Sequence, residues 1–406
     1  MSGPVQRAAL VVAVAVATLG LVACGGDDNA SSSTTTTSGS KTSTTEGLTP
    51  ASFTSDFSAM KQLTDLAKKG KGKVAVLLPD TTSSARYETF DRPYLQQAFE
   101  AAGLTKDQYS IDNAQGSAST MQTQAEAAIT DGASVLLVDA IDSGSGAAIE
   151  SNAESKGVKV IDYDRLVKGG PQDRVYVSFD NVNVGKQIGQ GAVDCITKWK
   201  VKDPNVLVMS GDPTDNNAKL FSEGYQGVLK KYFDDGSYKN AGEPAGTWTP
   251  ATAATTFEQA YTADPKINAA ITPNDDNANA VIAQLQAKQV PPNTFPTTGQ
   301  DASLSGLQNI LKGYQCGTVY KPIYLEAQAA AAIALYMRAG ESPPKGLVNG
   351  TTDDSQSGQK VDSVLLGPTW VTTENMAQTV VKDKAVNVTE LCIAALQSAC
   401  QAAGIS

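Results

Sequence analysis

The amino-acid sequence predicts an α/β protein of two similar lobes, each built on a parallel sheet flanked by helices. Three observations carry that expectation. From Lys73 onward, short apolar runs alternate with stretches of helical period. Strands alternating with helices of about 10–15 residues imply right-handed βαβ crossovers. The alternation also runs through two successive series, and 406 residues are ample for more than one large core.

The first series opens with the buried strand KVAVLLPD (73–80). A helix from Pro93 to Ala102 follows, with Tyr94, Leu95, Ala98, Phe99 and Ala102 on one face. Then come a strand near 109–112, a helix over 118–130, the strand SVLLV (134–138), a helix over 145–156 and the strand VKVID (158–162). A second series begins at VYVSFD (175–180). Its further strands are NVLVMSG (205–211), NAAITPN (268–274), FPTTG (295–299) and GTVYKP (317–322). Pro322 opens an Ala-rich helix at a position where its missing N–H costs nothing.

Composition removes whole classes of function. The chain has no histidine, which excludes His-based triads, His-ligated zinc and imidazole bases. Its formal net charge of −10 argues against nucleic acid, which needs a basic face. No catalytic residue, cofactor or metal is expected.

The N-terminus reads as an export signal over residues 1–23. Arg7 supplies the positive region, and Ala8 to Val22 the apolar run, too short for a membrane span of about 20 residues. The run ends in Leu21-Val22-Ala23-Cys24-Gly25. This resembles the bacterial lipobox, which implies that Cys24 is lipidated and begins the mature protein. Asp27 to Pro50 is low-complexity, with runs such as SSSTTTTSGS. So polar a segment buries no core, and residues 24–71 are expected to form a flexible, lipid-anchored tether.

In open parallel sheets, ligands bind beyond the carboxyl ends of the strands. Polar residues gather there: Arg86 and Tyr87, Asp142, Asp164 and Arg165, Asp215 and Asn217, Asn274 and Asp275, Gln300 and Asp301, then Lys321. A sugar needs such a set. Its hydroxyls both donate and accept, and its C–H face wants an aromatic ring, for which Tyr87 and Trp248 are the candidates. Charged groups in such a site must be mutually satisfied, as Asp164 and Arg165 could be. Blander roles compete. Asp215 could cap a helix starting at Asn216, and Asp142 and Asn274 could cap or turn likewise. Asp164–Arg165 could be a surface ion pair, and Trp248 a hydrophobic staple.

YDRLV (163–167), SFDN (178–181), DPTDNNAKLF (212–221), WTPATA (248–253), GQDA (299–302) and TVYKP (318–322) closely resemble motifs of the D-xylose-binding proteins of bacterial ABC-type sugar importers. Those proteins belong to the type I periplasmic binding protein superfamily. The resemblance runs from about Lys73 to Lys382. It implies two Rossmann-like lobes joined by a three-segment hinge, with residues 72–179 and 322–366 in the N-terminal lobe. Residues 180–321 and 367–406 form the other. It also implies sugar contacts from Arg86, Tyr87, Asp164 and Arg165 in the first lobe, and from Asp215, Asn217, Trp248, Asn274, Asp301 and Lys321 in the second. Tyr87 stands where the family usually has Trp. Asp142 resembles an aspartate of ribose- and multi-sugar-binding relatives.

The expected function is therefore capture of a monosaccharide, D-xylose or a related aldose, by a monomer that delivers it to an ABC permease. A sensor of the same fold, reporting to a membrane receptor, is the alternative. A glycosidase would need a protonated carboxyl group, which flanking Arg and Lys disfavour. A repressor would need a DNA-binding segment where the lipobox stands.

Four cysteines remain in the body, Cys195, Cys316, Cys392 and Cys400. An even number in an exported chain favours two disulfides, with buried free thiols the alternative. Cys195 and Cys316 fall in one lobe and are expected to pair, which leaves Cys392 with Cys400. On an unbroken helix that last pair would stand about 12 Å apart, too far to bridge, so the expectation requires a break.

Cys24→Ser should abolish lipidation and release the protein or leave its signal uncleaved. Fatty-acid labelling and membrane pelleting check this; unchanged incorporation would overturn the anchor.

Overall fold

The computed structural model describes residues 47–405. The expected export signal, the expected lipidation at Cys24 and the SSSTTTTSGS run lie outside them. Among the described residues, no helix is long and apolar enough to cross a membrane.

The chain begins with α1 (Thr64–Lys69), β1 (Lys73–Leu78), α2 (Arg92–Ala101), β2 (Tyr109–Asn113), α3 (Ala118–Thr130) and β3 (Ala133–Val138). It continues through α4 (Ser143–Ser155), β4 (Lys159–Tyr163) and β5 (Val175–Phe179). Then come α5 (Asn181–Lys198), β6 (Asn205–Val208), α6 (Asn216–Asp234), β7 (Lys239–Gly242), α7 (Pro250–Ala263) and β8 (Ala269–Ile271). After α8 (Asp275–Ala287), α9 (Leu304–Lys312) and β9 (Thr318–Tyr320), the chain forms α10 (Ile323–Ala339), β10 (Gly350–Asp354) and β11 (Gln359–Leu366). It closes with β12 (Thr369–Val371), α11 (Val388–Leu391) and α12 (Gln397–Ala402).

Two Rossmann-like lobes result. The first holds a seven-stranded sheet in the order β10-β11-β5-β4-β3-β1-β2, parallel except for β10. Both faces are covered, so its strands read as continuous apolar runs. Along β1, Val74, Val76 and Leu78 enter the core under α2 and α10, while Ala75 and Leu77 enter the one under α3 and α4. That is the period of two inherent to a pleated strand. In the second lobe β6 lies between β7 and β8, all parallel. Val206 and Val208 face α5 and α6, whereas Leu207 and Met209 face α7 and α8. Single parallel bridges, Ala270 to Thr297 and Gln300 to Val319, carry the sheet on to β9 and its antiparallel partner β12. Helices α5 and α6 cross closely because Gly185 and Gly224 face each other's backbones: a Cβ at Gly185 would stand 2.0 Å from the Phe221 carbonyl oxygen.

The chain passes between the sheets three times, from β5 into α5, from β9 into α10 and from β11 into β12. The Asp180 N–H donates to the Leu366 carbonyl at 2.9 Å, tying the first crossing to the third. VYVSFD, expected to open the second series, is β5 of the first sheet, where it pairs with β4 and β11. FPTTG makes a single bridge and no strand.

Residues 47–71 are not the tether expected of them. Leu48, Phe53, Phe57, Met60, Leu63 and Ala67 are buried in the first-lobe core, and most of them recur at helical spacings of three and four. The low-complexity composition ends before this periodic stretch starts. Gln328 donates to the Thr54 carbonyl, and Arg338 to those of Ala67 and Gly72, from α10.

Both disulfides form as expected. Cys195–Cys316 and Cys392–Cys400 have Cα separations of 5.8 and 5.9 Å. The required break is present: α11 stops at Leu391, and a short turn at Ala394–Leu396 precedes α12.

Met60 is fully buried, so Met60→Ala should cost about 2–5 kcal/mol in denaturant unfolding. A tether residue would leave the midpoint unchanged.

Candidate functional site

The polar residues sit where the strands end. After β1, Asp80 accepts from the N–H groups of Thr82 and Ser83 and folds the loop that delivers Arg86 and Tyr87. After β4, Asp164 takes a left-handed backbone with φ of 59°. Asp215 caps α6 by accepting from the Asn217 N–H at 2.8 Å, and Asn274 caps α8 by accepting from the Asn277 N–H at 3.0 Å. Asp301, with φ of 92°, stands at the Gln300–Val319 bridge. Lys321 directly follows β9.

The arrangement centres on Arg86. Its Nε and Nη2 donate to the two Asp91 carboxylate oxygens at 2.9 and 2.7 Å, Nη1 to Asp164 Oδ1 at 2.8 Å and Nη2 to Glu326 Oε2 at 2.8 Å. All four residues are buried. One guanidinium cannot neutralise three carboxylates. Burial pushes Glu326 up to about 8 against the pull of Arg86. Burial also opposes ionisation of Asp164, but Arg86, Lys321 and Arg165 outweigh it and hold that carboxyl at about 2.

Asp164 and Arg165 do not satisfy each other. Asp164 pairs with Arg86 and lies 3.8 Å from Lys321 Nζ, which is 3.4 Å from Asp301. Arg165 donates to the Tyr87 hydroxyl at 2.9 Å and the Ala140 carbonyl at 3.2 Å, and its Nε lies 3.4 Å from both Asp139 and Asp215. The two guanidinium carbons stand 5.4 and 5.6 Å from the Tyr87 ring centroid. Trp248 is no staple: half-buried, it donates Nε1 to Asp215 Oδ2 at 3.0 Å and meets Phe221 edge to face. Asp215 is both cap and site residue.

Polar contacts bridge the lobes. Ser84 Oγ donates to Asp301 Oδ2 at 2.9 Å, Asn274 Nδ2 to the Ser83 carbonyl at 3.1 Å and Asn217 Nδ2 to the Asp164 carbonyl at 2.9 Å. They flank a partly open pocket whose empty space, counting what is open to solvent, is ≈ 300 Å³. Arg86, Tyr87, Asp164, Arg165, Asp215, Asn217, Trp248, Asn274, Asp301 and Lys321 all line it. Such a lining offers fixed donors, fixed acceptors and an indole, which suits a small polyhydroxylated molecule. Among the described residues, no cluster of His, Cys, Asp or Glu could hold a metal ion.

Two residues of the strand-end set do not line the pocket. Asp275 accepts from the Ser303 N–H at 2.7 Å and Gln315 Nε2 at 2.8 Å. Asp142, expected to touch the sugar, caps α4, accepting from the Ser145 N–H at 2.9 Å and hydroxyl at 2.6 Å. Strand β3 ends at Val138, so the residue at its mouth is Asp139. Gln300, named in the strand-end set but not among the expected sugar contacts, also lines the pocket, and the lining residues missed are Ser83, Ser84 and Phe221. Phe221 lies inside an amphipathic helix and reads as core.

A family model described as "Periplasmic binding protein domain" matches residues 74–342. The chain is 36% identical over 277 residues to a D-xylose-binding periplasmic protein of Escherichia coli, covering 67% of this chain and 80% of the relative. It is 30% identical over 331 residues to the multiple sugar-binding periplasmic receptor ChvE of Rhizobium radiobacter, covering 77% and 90%. A carbohydrate transporter solute binding protein from Chloroflexus aurantiacus, in complex with D-glucose, superposes with a TM-score of 0.70 at 26% identity. That match covers 78% of this chain and 97% of the other.

The buried acids set opposite pH responses. Asp164 stabilises the fold above its unfolded value of 3.8, and this is lost as pH falls through about 2. Glu326 keeps its proton in the fold until about 8 but loses it near 4.5 when unfolded, so it lowers stability as pH climbs between those values. Glu326→Gln should flatten the decline of unfolding free energy across that window. An unchanged slope in a denaturant series would show that Glu326 is ionised there.

Proposed function

Given that this chain belongs to the periplasmic binding protein family, we propose that it captures an aldose, D-xylose or a close relative, and delivers it to an ABC-type permease. A sugar-binding protein of extracytoplasmic transport or sensing is the coarse reading that the family carries. Its relatives are binding proteins, and it is not an enzyme. The finer reading rests on one observation: a small pocket between two lobes, where three cations and several carboxylates converge beside an indole. The resemblance to a D-xylose-binding relative favours a pentose among the sugars. Lipidation at Cys24 would hold the protein at the membrane, and function needs only a monomer.

The mechanism involves no bond making. Sugar hydroxyls would bridge Arg86, Asp164 and Arg165 of one lobe to Asp215, Asn217, Asp301 and Lys321 of the other, with Trp248 over the C–H face. A ligand that contacts both lobes stabilises the closed form alone, and a permease that reads closure distinguishes loaded from empty protein. The likeness to a multiple sugar-binding receptor supports a second reading, in which closure is reported to a membrane receptor. Response to sugar in a strain lacking the permease separates the two.

Losing one partner of a charged hydrogen bond costs about 1.5–3 kcal/mol, and 1.4 kcal/mol is about tenfold in affinity. Asp301→Ala should therefore weaken binding about ten- to a hundredfold in calorimetric titration with D-xylose and D-glucose. Trp248→Ala should weaken it comparably through lost stacking. Both sugar-free variants should remain folded; Trp248→Ala should melt close to wild type, and Asp301→Ala lower, because it leaves buried Lys321 with Asp164 alone. Unchanged affinity with a large loss of stability would overturn the assignment.

A further inference from the structure

We propose that Asp139 is a positioning residue for closure: it holds the Arg165 guanidinium when the lobes part and yields it to Asp215 when they meet. Asp139 directly follows β3 and is fully buried, yet it does not line the pocket. The Arg165 Nε lies 3.4 Å from Asp139 Oδ1 and the same distance from Asp215 Oδ2. The two carboxylates differ in their other partners. Asp215 accepts from the Asn217 N–H and the Trp248 indole. Neither Asp139 oxygen has a hydrogen-bond partner among the described residues.

A buried carboxylate without donors is costly, so its persistence behind Arg165 calls for a state in which it is better served. Opening supplies that state. Arg165 and Asp139 belong to the first lobe, as do the other two groups that Arg165 holds, the Tyr87 hydroxyl and the Ala140 carbonyl. Asp215 heads α6 of the second lobe and departs with it. The guanidinium is thus pinned at both Nη atoms to its own lobe, while its Nε edge is contested across the cleft. When Asp215 leaves, Asp139 is the carboxylate within reach, and Arg165 keeps an ion pair and its orientation toward incoming ligand. Burial pushes the Asp139 carboxyl well above its ordinary range in the closed form, although Arg165 draws it back. An asparagine there would therefore resemble the closed state and remove a partner mainly from the open one.

The inference builds on the reading of this cleft as a closing binding site, but its test needs no sugar. Dyes on Ser119→Cys of the first lobe and Glu258→Cys of the second, both exposed, report the ratio of closed to open molecules by single-molecule energy transfer. In the sugar-free protein, Asp139→Asn should raise that ratio by about threefold or more, and Asp215→Asn should lower it by a similar factor. The double variant should fall between. A ratio unchanged or lowered by Asp139→Asn would overturn the proposal, because a merely structural carboxylate has no reason to favour closure when removed. Should that variant fail to fold, as melting would show, Asp215→Asn decides alone, and an unchanged ratio there overturns the shared pairing. Titration with D-xylose on the same labelled proteins is read separately. Sugar-free shifts as expected without any response to sugars would support the pairing and defeat the sugar assignment.

Discussion

Everything in the cleft depends on keeping the Arg86 guanidinium buried. A guanidinium removed from water is tolerated only where its fork is matched by acceptors. Here the acceptors come from three parts of the first lobe: Asp91 from its own turn, Asp164 from the end of β4 and Glu326 from α10. The pairing fixes the loop after β1 against a strand and against the helix that re-enters the lobe after the second crossing. It also overloads the centre with negative charge. Lys321 on the second crossing answers Asp164 and Asp301 together, so the charge balance of the first lobe is completed by a residue at the hinge.

The left-handed turn at Asp164 extends this constraint into the hinge. Its carbonyl accepts from the Tyr176 hydroxyl at 3.0 Å, the Ser178 hydroxyl at 2.8 Å and Asn217 Nδ2 at 2.9 Å. Tyr176 and Ser178 belong to β5, the strand that leads into the first crossing. Asn181, just beyond that crossing, donates to the Tyr176 and Ser178 hydroxyls and to Asn217 Oδ1. One backbone oxygen thus gathers the strand, the crossing and a cleft residue of the opposite lobe. Any residue other than glycine is uncommon at such a φ, yet aspartate is among those that adopt it readily. The side chain needed by Arg86 and the backbone needed by the hinge are met by the same position.

How far the sequence could be read follows from what each element buries. Strands β1, β3, β4 and β5 are covered on both faces, so their apolar runs are unmistakable. β10 is an antiparallel edge strand, GTTDD, with half its side chains in solvent, and carries no such run. β12 has only three residues. In the site, nine of the expected contacts were legible because ligand chemistry in open sheets gathers at strand ends, and Trp248 because a sugar's C–H face wants an aromatic ring. Asp142 misled because three residues separate it from β3, which leaves it free to cap α4. Asp139 went unnoticed because it reads as the continuation of an apolar strand. The helical period of Phe53, Phe57, Met60 and Leu63 was available in the sequence but lay beside a low-complexity run.

The direct contacts across the cleft are also of a kind that permits reversal. Those joining Ser84 to Asp301, Asn274 to Ser83 and Asn217 to Asp164 are polar, and each exchanges with water on opening. A typical hydrogen bond of that sort contributes about 0.5–1.5 kcal/mol net, and closing also restricts side chains that are free in the open state. The largest apolar core is shared: one cluster runs from Val74 and Leu95 of the first lobe through Val177 and Ile323 at the crossings to Val206 and Phe221 of the second. The hydrophobic term therefore ties the lobes together around the crossings, while the cleft is lined mainly by polar groups. Polar contacts at the cleft are individually modest, so a ligand that bridges both linings need supply only a small preference to hold them together.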